Sequence, residues 1–283
     1  MTVSSTRSRR IDYAPCKYNG SRLWFRGPMR SLRSPYVACL GGSSIYGRYL
    51  EVPWSVSLHE AQSRAVVNLA VENAGLDAYL NDPGTLSTAA KAEIAFVQIT
   101  GSHNTSNRYY SVHPRRNDRF LKASSALRRL YPEMDFTEVH FTGHLLNRLE
   151  HISADRFEEV RREIRAAWRA RMRHLIGQMD GKIALVWFAP VALSEAGQMP
   201  CAEERFLRRS DLESVEPHIA GLLECVPKDW RTGFADADVP PLDSKGTEHL
   251  PGPEAHRELS QRMADYLEQT RDEKTAHPKA RRL

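Results

Sequence analysis

The sequence predicts an α/β domain, with a mostly parallel sheet of about five strands between two layers of helices. Two observations predict it. From Tyr36 onward, short apolar runs alternate with amphipathic stretches, the order expected of βαβ units. The apolar runs are also continuous rather than alternating, which fits strands covered on both faces. The length of 283 residues, 41% of them hydrophobic and 27% charged, suffices for one domain with a sizeable core.

Residues 1–35 show no sustained period and many Arg, Ser and Pro, and read as an arm laid on the surface. The domain then runs over 36–270. "YVACL" (36–40) is the first strand. "PWSVSLHEAQSRA" (53–65) has Pro at a helix start and apolar spacing near 3.6. "VVNLAV" (66–71) is a second strand, "LSTAAKA" a short helix after the turn "NDPGT", and "EIAFVQIT" (93–100) a third strand. A polar loop, 101–117, follows. Residues 117–180 read as a helical insertion of three helices: 117–131 with Asn117 or Asp118 as cap, 135–153, and the long, charged 153–179. "KIALVWFAP" (182–190) and "LLECVP" (222–227) supply strands four and five. "PEAHRELSQRMADYLEQ" (253–269) closes the domain, and 271–283 is a polar tail.

The N-terminus is basic but lacks the apolar stretch of a secretory signal. No apolar run approaches the roughly 20 residues that span a bilayer. Cys16, Cys39, Cys201 and Cys225 form no C-x-x-C pair, so cytoplasmic free thiols are expected rather than disulfides or a zinc site. The formal net charge is +5, and only eight of the 40 basic residues are lysine. Arginine forks pair bidentately with carboxylate, phosphate or sulfate, which suits an anionic small-molecule or carbohydrate substrate. The Arg-rich stretch 156–173 interleaves with Glu158, Glu159 and Glu163 at helical pairing distances, so it reads as a self-paired face and not a nucleic-acid surface. His140 and His144 share a helix face at i, i+4, but no third ligand is evident and no metal or other cofactor is expected.

In a sheet of this kind the ligand site lies at the carboxyl ends of the strands. Three loops fall there: "GGSSIYG" (41–47), "NLAVENAG" (68–75) and "GSHNTSNRYYSVHPRRNDR" (101–119). "GTEHLPGPEAH" (246–256) precedes the last helix.

These loops resemble the blocks of the SGNH or GDSL hydrolases, over about residues 36–110 and 182–268. Gly41, Gly42, Ser43 and Gly47 align with Gly-Asp-Ser-x-x-x-Gly, although Gly42 replaces the Asp. The resemblance implies a three-layer, flavodoxin-like sheet and Ser43 as nucleophile. It implies Gly75 and Asn104 as oxyanion donors, with Ala70 in place of one family Gly and one residue too many in "GSHN". His249 stands at the position of the base, but Gly246 replaces the Asp that would orient it, leaving Asp243 or Glu248 as substitutes; His256 falls where the family often has a non-catalytic His. "HPRRNDRF" and "DFTEVHF" resemble a bacterial SGNH-like family of unknown function, some members of which carry sulfotransferase labels.

Two enzyme readings follow, a serine acyl hydrolase or acyltransferase and a sulfate or other anion group transferase, beside a third: a catalytically degenerate binding module. The transfer reading rests on Arg108, Arg115, Arg116 and Arg119 with His103, the last three arginines placed around a helix start whose N–H groups would help hold an anion.

Overall fold

The structure, a computed structural model, describes residues 11–196, 206–232 and 249–276. Five parallel strands form the main sheet: β1 (Tyr36–Leu40), β2 (Ala65–Asn68), β3 (Ile94–Gln98), β6 (Ile183–Phe188) and β7 (Gly221–Cys225). Their order is β2-β1-β3-β6-β7. Side chains alternate between two cores. Tyr36, Ala38 and Leu40 of β1 enter one; Val37 and Cys39 enter the other. Both sets are buried, which is why the strand reads as an unbroken apolar run.

One core is covered by α1 (Ser43–Tyr46), α2 (Trp54–Ala61) and α9 (Pro253–Ala276), through Ile45, Trp54, Leu58, Leu259 and Met263. The other is covered by α3 (Leu76–Leu80), α4 (Pro83–Ala90), α7 (Ala154–Gly177) and α8 (Arg209–Glu213). The three layers of the α/β/α sandwich are therefore present as expected.

In its described part, residues 11–35, the N-terminal arm contributes side chains to the second core and is not only a surface layer. Cys16, Tyr18, Leu23 and Phe25 are buried in it, and Cys16 and Phe25 bridge antiparallel. Arg26 is buried as well, and its guanidinium donates to the carbonyls of Gly47, Leu50 and Glu51. Desolvation holds its pKa below the usual arginine range. Gly47 sits at φ +80°, and a Cβ there would lie 2.7 Å from Pro53. The α1–α2 corner thus closes only around a glycine.

The insertion departs most from expectation. Residues 110–123 form a hairpin, β4 (Tyr110–Val112) and β5 (Phe120–Ala123), followed by α5 (Ser125–Leu130) and α6 (Thr142–Ile152). No helix starts at Asn117. Ser124, not Asn117 or Asp118, caps α5. The insertion has its own core of Tyr110, Phe120, Leu127, Leu146 and Phe157. α7 joins this core to the sheet. Phe157, Val160 and Ile164 enter the insertion core, and Trp168, Met172, Leu175 and Ile176 enter the main one. Its charges pair mostly outward: Arg156 with Glu133, Arg169 with Asp211, and Arg171 with Asp77 at 2.8 Å; only Arg161–Glu158 (2.9 Å) lies within the helix. Among the described residues no helix is long and apolar enough to cross a membrane.

Candidate active site at the β1–β3 rim

The chain moves outward from β1 to β2 on one side and to β3 on the other. This is the switch point where such sheets open a crevice at the strands' carboxyl ends. Ser43 follows β1 there as the first residue of α1 and is half-buried. Its turn is packed closely. A Cβ on Gly41 would lie 2.6 Å from Gln98 Oε1, and that oxygen accepts from the Gly42 N–H at 2.8 Å. Gln98 therefore braces the turn from β3. Tyr79, fully buried, donates to the Gly41 carbonyl at 2.5 Å and accepts from the Gly41 N–H at 3.1 Å.

The Ser43 hydroxyl meets Asn73. Oγ accepts from the Asn73 N–H at 2.9 Å and donates to Asn73 Oδ1 at 3.1 Å. Asn73 lies at φ +57°, in the left-handed region that glycine fills readily and that asparagine tolerates better than most residues. The backbone donor facing Ser43 thus comes from Asn73 and not, as the sequence suggested, from Gly75. The Gly75 N–H is spent elsewhere: Asn117 Oδ1 accepts it at 2.7 Å, together with the Ala78 N–H at 3.1 Å. Asn117 is fully buried and caps α3 from forty residues away; its own N–H donates to the Asn73 carbonyl at 2.8 Å. A Cβ on Gly75 would lie 2.6 Å from the Asn104 carbonyl oxygen. This glycine permits the close approach of the 101–104 loop.

Asn104 is buried, and its Oδ1 accepts from Thr142 Oγ1 at 2.6 Å. That bond fixes the amide and leaves Nδ2 as its donating end. Thr100 Oγ1 and Ser102 Oγ, on the same loop, are buried without a hydrogen-bond partner among the described residues. His103 points into the insertion, against the ring of Phe206 at 5.3 Å.

The two histidines of the last block separate. His249 is exposed, and its carbonyl accepts from Trp230 Nε1 at 3.3 Å. Gly246, Asp243 and Glu248 lie outside the described residues. His256 is buried beneath α1. Its Nδ1 accepts from the Trp54 N–H at 3.3 Å, its ring meets Phe188 edge-on, and burial pushes its pKa down to about 3. It is a neutral packing residue. Among the described residues no imidazole hydrogen-bonds Ser43.

The arginines of the 108–119 loop do not converge. Arg108 is held by Glu159 at 3.3 Å and Glu163 at 3.7 Å on α7. Arg119 lies over the Phe141 ring at 5.1 Å. Arg115 and Arg116 are exposed on the turn before β5, with backbone N–H groups on His113 Nδ1. The helix start expected to share an anion with them is not formed. Among the described residues no group of three or more His, Cys, Asp or Glu side chains could hold a metal ion.

Several solved structures are similar, two of them as follows. One is a lipase/acylhydrolase from Enterococcus faecalis: 14% identical, TM-score 0.43, with 84% of this chain and 97% of that one covered. The other is the lipase Lip_vut3 from a goat rumen metagenome: 11% identical, TM-score 0.40, with 81% and 96% covered. No curated protein matches. A family model does match, over residues 1–271, so it takes in the buried arm, the sheet, the insertion and most of the last helix: the chain belongs to the family described as Domain of unknown function (DUF6473).

Proposed function

We propose that the β1–β3 rim is a serine-dependent site for acyl hydrolysis or acyl transfer on a carbohydrate or other anionic substrate. One observation carries this reading: a backbone N–H, that of Asn73, lies 2.9 Å from a hydroxyl at the switch point of the sheet. Ser43 Oγ would attack the acyl carbon. The Asn73 N–H and Asn104 Nδ2 would then face the oxygen that gains charge; one such donor is typically worth about 10²–10³ in turnover. As the Oγ–carbon bond forms, the hydroxyl proton passes to a base and from there to the departing alcohol. Water or a second alcohol then takes the acyl group from Ser43. Asn73 Oδ1 orients the hydroxyl but cannot take its proton, so an imidazole must displace it; His249 is the residue assigned to that role.

The doubly bonded Ser43 hydroxyl also supports a second reading, a binding module on the same scaffold without turnover. A fluorophosphonate probe separates them. Labelling of wild type that is lost in Ser43→Ala and greatly slowed in His249→Ala supports acyl chemistry. A folded wild type that takes no label, yet is thermally stabilised by a glycan, supports the binder.

A further inference from the structure

A charged cleft lies on α7, closed on one side by Arg108. It has a volume of about 560 Å³ and is lined by Arg108, Glu159, Arg162, Glu163, Arg165 and Arg169. Its two acids are already engaged, both by Arg108. Arg169 is paired with Asp211, which also accepts from the Arg208 N–H at 2.9 Å. Among the described residues Arg162 and Arg165 have no ion pair or hydrogen bond, and the Arg165 Nε is buried without a partner there.

We propose that this cleft binds a ligand with two linked phosphate- or sulfate-type groups through Arg162, Arg165 and Arg169. The three side chains follow one another on one face at i, i+3 and i+7, about 4.5 and 6 Å apart along the axis. That spacing suits two adjacent tetrahedral oxyanions, each met by a guanidinium fork. Arg165 gives the physical reason. Desolvation, with the charges of Arg208 and Arg169, disfavours its ionised form more than Asp211 and Glu158 favour it. The neighbouring carboxylates only partly offset the burial of this cation among like charges, and an anion in the cleft supplies the remaining counter-charge. The site does not depend on the chemistry proposed for Ser43.

Inorganic pyrophosphate, titrated calorimetrically into the full chain at low salt, is the test. Saturable binding is expected, tighter than that of sulfate. It should weaken at least about tenfold in Arg165→Met and in Arg162→Ala, the scale of one charge-assisted contact. Arg165→Met keeps the packing of the stem and should melt no lower than wild type; Arg162 is exposed, so its variant tests the site without touching the core. An Arg115→Ala/Arg116→Ala variant should bind as wild type. The proposal is overturned by absence of saturable binding, by equal affinity for sulfate, by binding unchanged in both cleft variants, or by loss in the 115/116 variant alone.

Discussion

Asn73 holds Ser43 from both sides, its N–H donating to the Ser43 oxygen at 2.9 Å and its side-chain oxygen accepting from it at 3.1 Å. The backbone half of this contact depends on a left-handed residue at 73, and the side-chain half on an amide. Two substitutions separate them.

Asn73→Gly keeps the conformation and the N–H and removes Oδ1. It should stay within about 1 kcal/mol of wild type in urea unfolding, and fluorophosphonate labelling of Ser43 should be faster because the hydroxyl is released. Asn73→Ala also removes Oδ1, but alanine lacks the local side-chain hydrogen bonding that lets asparagine tolerate φ +57°, so it should be less stable than the glycine variant by roughly 1 kcal/mol. Slower labelling in the glycine variant would show that Oδ1 serves the reaction instead of restraining it.

Asn117→Ala removes the acceptor of two buried N–H groups, those of Gly75 and Ala78. Leaving such donors unpaired costs about 1–3 kcal/mol each. The urea midpoint should fall accordingly, and amide exchange should quicken first at the start of α3, residues 75–78.

Deleting residues 1–35 should prevent folding. The arm buries Cys16, Tyr18, Leu23 and Phe25 in the second core; Leu23 and Phe25 alone are worth roughly 3–6 kcal/mol at about 1.5–3 kcal/mol per side chain. That is a large part of a whole domain's stability. A truncated chain with a cooperative melt near that of wild type would refute the assignment.

Acid should destabilise the protein through His256. Its folded pKa, about 3, lies below the ordinary histidine value of 6.5. Between the two, the unfolded chain binds a proton that the folded chain refuses. Stability is therefore full above about pH 6.5 and falls with pH toward 3, by up to ~1.4 kcal/mol per pH unit from this group. Burial is the first cause and the nearby Arg26 charge the second. His256→Gln, whose side-chain oxygen can accept from the Trp54 N–H, should flatten the stability profile over that window.

How much of this was legible in the sequence depends on how local the cause is. The five strands were, because unbroken apolar runs such as "YVACL" and "KIALVWF" follow directly from burial on both faces. So was α7, whose apolar positions recur along one stripe. The 117–123 segment reads as a helix start and is instead a turn and a strand. "NDRFLKA" offers capping residues at a plausible helix start, but Phe120 and Ala123 are drawn into the insertion core, so the segment pairs with β4 as a strand. Nor was the arm's burial visible, since isolated apolar residues among Arg, Ser and Pro carry no period.

The sequence by itself determined the layers of the fold and put Ser43 at the end of β1, because strand propensity and burial act over a few neighbouring residues. Only the tertiary structure decided what Ser43 touches. Asn73 is thirty residues away, and its role depends on one backbone angle; Asn117, forty-two residues from Gly75, takes the N–H that the sequence had assigned to an oxyanion. Such bonds arise where loops from different strands are brought to one rim, and no spacing along the chain encodes that meeting.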